Sequence, residues 1–208
     1  YRFGKLFSKS KADKIRRVYF VGCGTAYNSG LAACAAARKF VPVDCSAIYA
    51  SEFIYDYYPC GADTLTIFIS QSGETADTVR AAEKAIALGA VACAVTNTVC
   101  STLARLCSFS VDVHAGAEYA VASTKAYNCQ LATLILMMAD FAKTRGKVTA
   151  DECEKLRSGV IRAAACVDEI LNDRAEIERL ADSVKDSSAG FFIGRRGDYP
   201  TAAESSLK

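Results

Sequence analysis

The chain has 208 residues, 51% of them apolar, and 25 Lys and Arg against 23 Asp and Glu give a net charge of +2. That length supplies a substantial core and that apolar fraction excludes a disordered chain. Near-balanced charge with no arginine-rich face argues against nucleic acid as a partner, and no apolar run reaches the roughly 18 residues of a membrane span.

Taken in chain order, short β-rich runs alternate with helical patterns. Val18 to Val21 is the first strand, followed by the turn Gly22-Cys-Gly-Thr-Ala-Tyr-Asn28 and a helix over Ser29 to Phe40. Cys45 to Tyr49 and Leu65 to Ile69 are the second and third strands. The loop Ser70-Gln-Ser-Gly-Glu-Thr75 leads into a helix from Thr75 to Leu88, with Gly89 as its stop. Strands at Val91 to Val95 and Phe109 to Val113 flank a short helix at Ser101 to Leu106, and a longer helix runs from Ser123 to Thr144. Short apolar strands alternating with helices predict an α/β fold: a doubly wound, five-stranded parallel sheet in the flavodoxin-like order 2-1-3-4-5. Beyond a break at 145–148, Thr149 with Glu152 forms a capping-box pattern, and two amphipathic helices fill 150–186. A sixth strand, Gly190 to Ile193, then precedes Gly194-Arg-Arg-Gly197 and a helix from Tyr199 to Lys208. This second strand–glycine–helix unit echoes the first. It divides the chain into one domain over 1–146 and the start of a second of the same kind over 147–208. The chain opens on Tyr1 and stops early in a helix, which reads as a piece of a larger protein.

The ten cysteines form no C-x-x-C pair and the one histidine is His114, so no metal site is expected. Cys23, Cys34, Cys93, Cys129 and Cys166 lie in apolar segments, the pattern of buried, reduced thiols in a cytoplasmic protein. No signal peptide opens the chain.

In the order 2-1-3-4-5 a ligand belongs at the C-terminal ends of strands 1 and 3. The two loops there are the 22–28 turn and the 70–75 loop. Gly73 permits a tight turn, the following helix offers free N–H groups, and Ser70, Gln71, Ser72 and Thr75 add neutral donors, together a cradle for a phosphate. No lysine of the nucleotide P-loop type is present. The 22–28 turn has Tyr27 where a dinucleotide-binding turn has its third glycine, and the second strand ends at Tyr49-Ala50 without an acidic residue, so no nicotinamide cofactor is expected. Thr25 is free to share the phosphate. Glu118 to Lys125 sits at the mouth of a helix capped by Ser123 or Thr124. Glu204 and Lys208, spaced i, i+4, share a helix face. They read either as a surface ion pair or as an acid/base pair whose lysine can form a Schiff base.

The set Cys23-Gly-Thr25, Ala50-Ser-Glu-Phe53, Ser70-Gln-Ser-Gly-Glu-Thr-Ala-Asp77, Val121-Ala-Ser-Thr-Lys-Ala126 and Tyr199-Pro…Glu204…Leu-Lys208 resembles the sugar-isomerase (SIS) region of the glutamine–fructose-6-phosphate aminotransferase family. The resemblance is collinear over nearly the whole chain. It implies two tandem SIS domains behind an N-terminal glutaminase domain and a sugar phosphate as ligand. No cofactor is expected, and the exposed apolar edges of an incomplete second domain favour a homo-oligomer. By resemblance, Thr25, Ser70, Gln71, Ser72 and Thr75 hold the phosphate and Val121 and Ser123 line the sugar. Glu204 lies beside the substrate and Lys208 pairs with its open-chain carbonyl. Four departures stand out: Ala26 where the family has a serine, Ala117 before Glu118 where it has a proline, Ala120 where it has a glycine, and Ser205-Ser206 between Glu204 and Leu207 where it has a glycine and an alanine. They leave open a fructosamine-6-phosphate deglycase, a ketose/aldose phosphate isomerase or a non-catalytic sugar-phosphate sensing SIS module as alternatives. The loss of one hydroxyl at Ala26 weakens binding by about tenfold at most. The family's further catalytic glutamate and histidine lie beyond Lys208, so this chain is expected to bind a sugar phosphate without turning it over.

Overall fold

Five runs of Val, Ile, Phe, Ala and Cys form a single parallel sheet in the computed structural model, which describes residues 8–119 and 123–208. The strands are β1 (Arg17–Gly22), β2 (Asp44–Tyr49), β3 (Thr64–Ser70), β4 (Val91–Thr96) and β5 (Phe109–Asp112), in the order β2-β1-β3-β4-β5. The register sets Val18 between Cys45 and Leu65, and Gly22 between Tyr49 and Ile69. The central strands are apolar on both faces because both are covered. β3 is buried throughout.

Alternation of side chains divides the core in two. On one face Val18, Phe20, Ile67 and Val95 pack under α2 (Thr25–Ala37) and α6 (Lys125–Thr144). On the other, Tyr19, Val21, Phe68 and Ala94 meet α3 (Ala50–Tyr55), α4 (Ala76–Ala87) and α5 (Thr102–Leu106). Ala81, Ala82 and Ala85 of α4 are fully buried, and their small size lets that helix lie close to the strands. Each large side chain that is fully buried contributes about 1.5–3 kcal/mol, and truncating Phe20 to alanine at the sheet centre costs about 3–5 kcal/mol.

A short α1 (Lys9–Ala12) precedes the sheet, and α7 (Ala150–Asn172), α8 (Ala175–Val184) and α9 (Asp198–Leu207) follow it. The capping box is present: Glu152 N donates to Thr149 Oγ1 at 3.2 Å and Thr149 N donates to Glu152 Oε2 at 2.8 Å. Gly89 ends α4 with φ +83°.

Four differences from the sequence reading have physical causes. Residues 190–193 form no strand; Phe191 and Ile193 are exposed, and among the described residues no strand pairs with them to supply ladder hydrogen bonds. Helix α2 starts at Thr25 rather than Ser29, because the chain turns fully at Gly24, with φ +53°. Helix α3, unforeseen after Tyr49, is six residues long, too short for a periodic signal; it is anchored by Phe53 against Tyr19 and Phe68. Cys166 is exposed and Cys23 and Cys129 are half-buried, whereas Cys34 and Cys93 are buried as expected. Among the described residues no helix is long and apolar enough to cross a membrane.

Candidate functional site

The strand order reverses between β1 and β3, and a cavity of about 290 Å3 opens at their C-terminal ends. Thr25, Ser70, Gln71, Ser72, Thr75 and Ser123 all line it. These are six of the seven residues assigned by resemblance to the phosphate and sugar; the seventh, Val121, lies outside the described residues.

The 70–75 loop is held by its own hydroxyls. Gly73 N donates to Ser70 Oγ at 3.0 Å, Glu74 N donates to Ser72 Oγ at 3.1 Å, and Ser70 Oγ and Thr75 Oγ1 share a hydrogen at 3.0 Å. Gly73 has φ +68°, and a Cβ there would meet Ser101 Oγ at 2.1 Å. The loop is pinned from outside as well. Asn97 N donates to the Gln71 carbonyl at 3.1 Å, and Leu103 N donates to the Gly73 carbonyl at 3.0 Å. Glu74 accepts from Thr102 N at 2.8 Å, which holds its carboxyl below the ordinary value. Its charge is thus turned toward α5. Helix α4 begins without a side-chain cap at Thr75, so its first N–H groups and dipole remain available to an anion.

Beside Thr25, which lines the cavity, α9 presents Glu204 and Lys208 to α2; they touch the site through Thr25 and are not among its lining residues. Glu204 is 6% exposed, so its carboxylate is buried, while the Lys208 end of the pair reaches the surface. Lys208 Nζ lies 3.0 Å from Glu204 Oε1 and donates to Thr25 Oγ1 at 2.9 Å. Thr25 in turn donates to Glu204 Oε1 at 3.1 Å. Its hydroxyl hydrogen therefore serves the carboxylate, a placement the sequence did not suggest. Asn28, unremarked in the sequence, donates from Nδ2 to Glu204 Oε2 at 2.8 Å. Its position one turn after Thr25 was the available signal. Nearby, burial and the Glu204 charge push the Tyr127 hydroxyl pKa up, keeping it a neutral phenol.

The mouth of α6 differs from expectation. Neither Ser123 nor Thr124 caps it; Glu118 Oε2 accepts from Ala126 N at 3.1 Å and from Ser123 Oγ at 3.3 Å. Lys125 donates to the Ala117 carbonyl. Tyr27 stacks on Tyr49 with ring centroids 3.6 Å apart, so the third-glycine position carries an aromatic wall. His114 pairs with Asp112 at 3.0 Å and does not line the cavity. A hollow of about 450 Å3 lies by the N-terminal ends of β1 and β2, where Arg38 is bound to the Cys45 carbonyl and Arg17 to Asp63.

An open parallel sheet with a hydroxyl-rich, helix-backed cavity at its switch point defines a doubly wound α/β domain. The chain belongs to the SIS domain family, whose model matches residues 13–139. It is 36% identical over 201 residues to the glutamine–fructose-6-phosphate aminotransferase (isomerizing) of Clostridium acetobutylicum, covering 97% of this chain and 33% of that protein. Identity to the Clostridium tetani protein of the same name is 38% over 201 residues, with the same coverage. The fold superposes on the C-terminal domain of glucosamine-fructose-6-phosphate aminotransferase from Francisella tularensis with TM-score 0.90 and 32% identity, covering 96% of this chain and 56% of that one. The chain thus spans about a third of the length of the curated relatives it matches.

Proposed function

We propose that this chain is part of the isomerase region of a glutamine–fructose-6-phosphate aminotransferase, and that its cavity binds fructose 6-phosphate and glucosamine 6-phosphate. The observation that carries this reading is the meeting of two unlike sets of groups at Thr25. Neutral donors and a helix N-terminus line the cavity and suit a phosphate, and the Glu204–Lys208 pair, bonded to the cavity-lining Thr25, suits a carbonyl. Ser70, Gln71, Ser72 and Thr75 hold the phosphate, and Thr25 joins them. Ser123 and Val121 flank the sugar. Glu204 takes a proton from the Lys208 ammonium across 3.0 Å. The freed amine can then add to the open-chain carbonyl carbon and release water as the Schiff base forms.

Residues 1–146 are read as one SIS domain and 147–208 as the opening of a second. A glutaminase domain in the parent protein, a homo-oligomeric state and a cytoplasmic location complete the proposal. Calorimetry tests it: both sugar phosphates should bind at one site, and fructose lacking the phosphate should not. Absence of heat with both sugar phosphates, or equal affinity for fructose, would overturn it.

A further inference from the structure

Gln130 stands in the second turn of α6 and is 1% exposed. Apart from Thr133 the rest of that face is apolar, with Leu134, Met137, Met138 and Phe141 in the core. An amide in such a row costs about 1–3 kcal/mol when its polar atoms go unmet. One end is met. Ser29 Oγ on α2 lies 3.1 Å from Gln130 Oε1 and 2.8 Å from the Ala26 carbonyl, sharing one hydrogen between two acceptors.

The other end, Nε2, has no hydrogen-bond partner among the described residues. It is not sealed in protein either: the occluded, unpartnered side-chain atoms among those residues are Asp140 Oδ2 and Arg145 Nε. Gln130 lines the cavity, so its free end faces that space. Leucine or methionine would serve packing at this position. An amide oriented by a neighbouring hydroxyl, with its second end in a cavity, is built to meet a ligand.

We infer that Gln130 is a further ligand-contact residue, donating from its amide nitrogen to an oxygen of the bound sugar phosphate. The inference rests on the reading of the cavity as a sugar-phosphate site. Two ligand oxygens share the required chemistry, a phosphate oxygen and a sugar hydroxyl. Exchange of the two amide ends would give Ser29 the donor and the cavity the acceptor. A hydroxyl satisfies either arrangement, and a phosphate oxygen only the first.

The test is calorimetry on the 208-residue chain and on Gln130→Met, with fructose 6-phosphate, glucosamine 6-phosphate and inorganic phosphate, alongside thermal midpoints. The expected result is sugar-phosphate binding weakened about five- to tenfold at an unchanged midpoint. If inorganic phosphate keeps its affinity, the contact is to a sugar hydroxyl; if it weakens in parallel, the contact is to a phosphate oxygen. Unchanged affinity for all three overturns the inference. Should Gln130→Met fail to fold, Gln130→Glu keeps the shape and sets a carboxylate against an anionic ligand. Parent-like affinity in that variant at pH 8 overturns the inference equally. Failure of the parent chain to bind either sugar phosphate removes the underlying reading instead, and is seen before any variant is made.

Discussion

Glu204 Oε2 accepts a hydrogen bond from Asn28 Nδ2 at 2.8 Å, across 176 residues of sequence. Both residues are buried, so the bond is shielded from water. Asn28→Ala should leave a buried carboxylate oxygen unmet and cost about 1–3 kcal/mol in urea unfolding. Asn28→Asp should cost more at pH 7, because two carboxylates would then face each other. It should recover on acidification, since a like charge raises the pKa of its neighbour and one of the two protonates early. An Asn28→Asp variant with no such pH-dependent recovery would show that the carboxylate does not depend on this contact.

Ser72→Ala and Thr75→Ala should each weaken fructose 6-phosphate binding by about tenfold or less, as expected for one neutral hydrogen bond. Both hydroxyls also bond within the loop, so the double variant should lose more than the sum of the singles. Parent-like affinity in both single variants would mean that the loop is not the phosphate site.

Gly73→Ala should be among the most damaging single changes in the loop. A Cβ would sit 2.1 Å from Ser101 Oγ and 3.0 Å from Thr96 Oγ1, at φ +68°. The left-handed conformation costs roughly 1–2 kcal/mol and the overpacking about 1–3 kcal/mol more. Adding Ser101→Gly removes the nearest clash but not the backbone strain, so the double variant should recover only part of the loss by thermal denaturation.

Burial raises the Cys45 and Cys107 thiols from the ordinary value of 9.0 to about 12, and Cys93 well above it. Below pH 9 these thiols are protonated in both the folded and unfolded chain, and their contribution to stability is fully present. As pH rises from 9 toward 12 the unfolded chain releases protons that the folded chain retains, so stability falls across that window. The thermal midpoint should be level from pH 7 to 8.5 and decline steadily above it. Native alkylation at pH 8 should reach exposed Cys100 and Cys166 and leave Cys93 untouched. Early loss of the Cys93 thiol would contradict its burial.

The sheet was legible because its five strands are apolar enough to be covered on both faces, and the glycine-bearing loops punctuate them. The phosphate loop was legible for the same reason: small polar residues and a glycine stand where the strand order reverses. What was hidden depends on contacts remote in sequence. Asn28 gains its role only when α9 docks, and Gln130 reads as one polar residue in an apolar helix until Ser29 is seen beside it. Residues 190–193 have strand-like composition, but a strand exists only when another offers its edge. Helix α3 is anchored by a single aromatic side chain, which leaves no period to detect.

Helix α9 reaches the sheet body by way of α7 and α8, 23 and 10 residues long, in which no side chain is fully buried and α7 touches the core through half-buried Cys153. Helix α9 meets α2 through Glu204, Lys208 and the edge of Leu207 beside Gly24. Beyond the Cys153 contact its docking is a tethered association, governed by an effective concentration set by the intervening chain rather than by the cooperativity of the core. A ligand that touches both the 70–75 loop and Lys208 acts as a bivalent clasp on that association. Its occupancy would be written most clearly in the hydrogen-exchange rates of α9, with β1 and β3 unmoved.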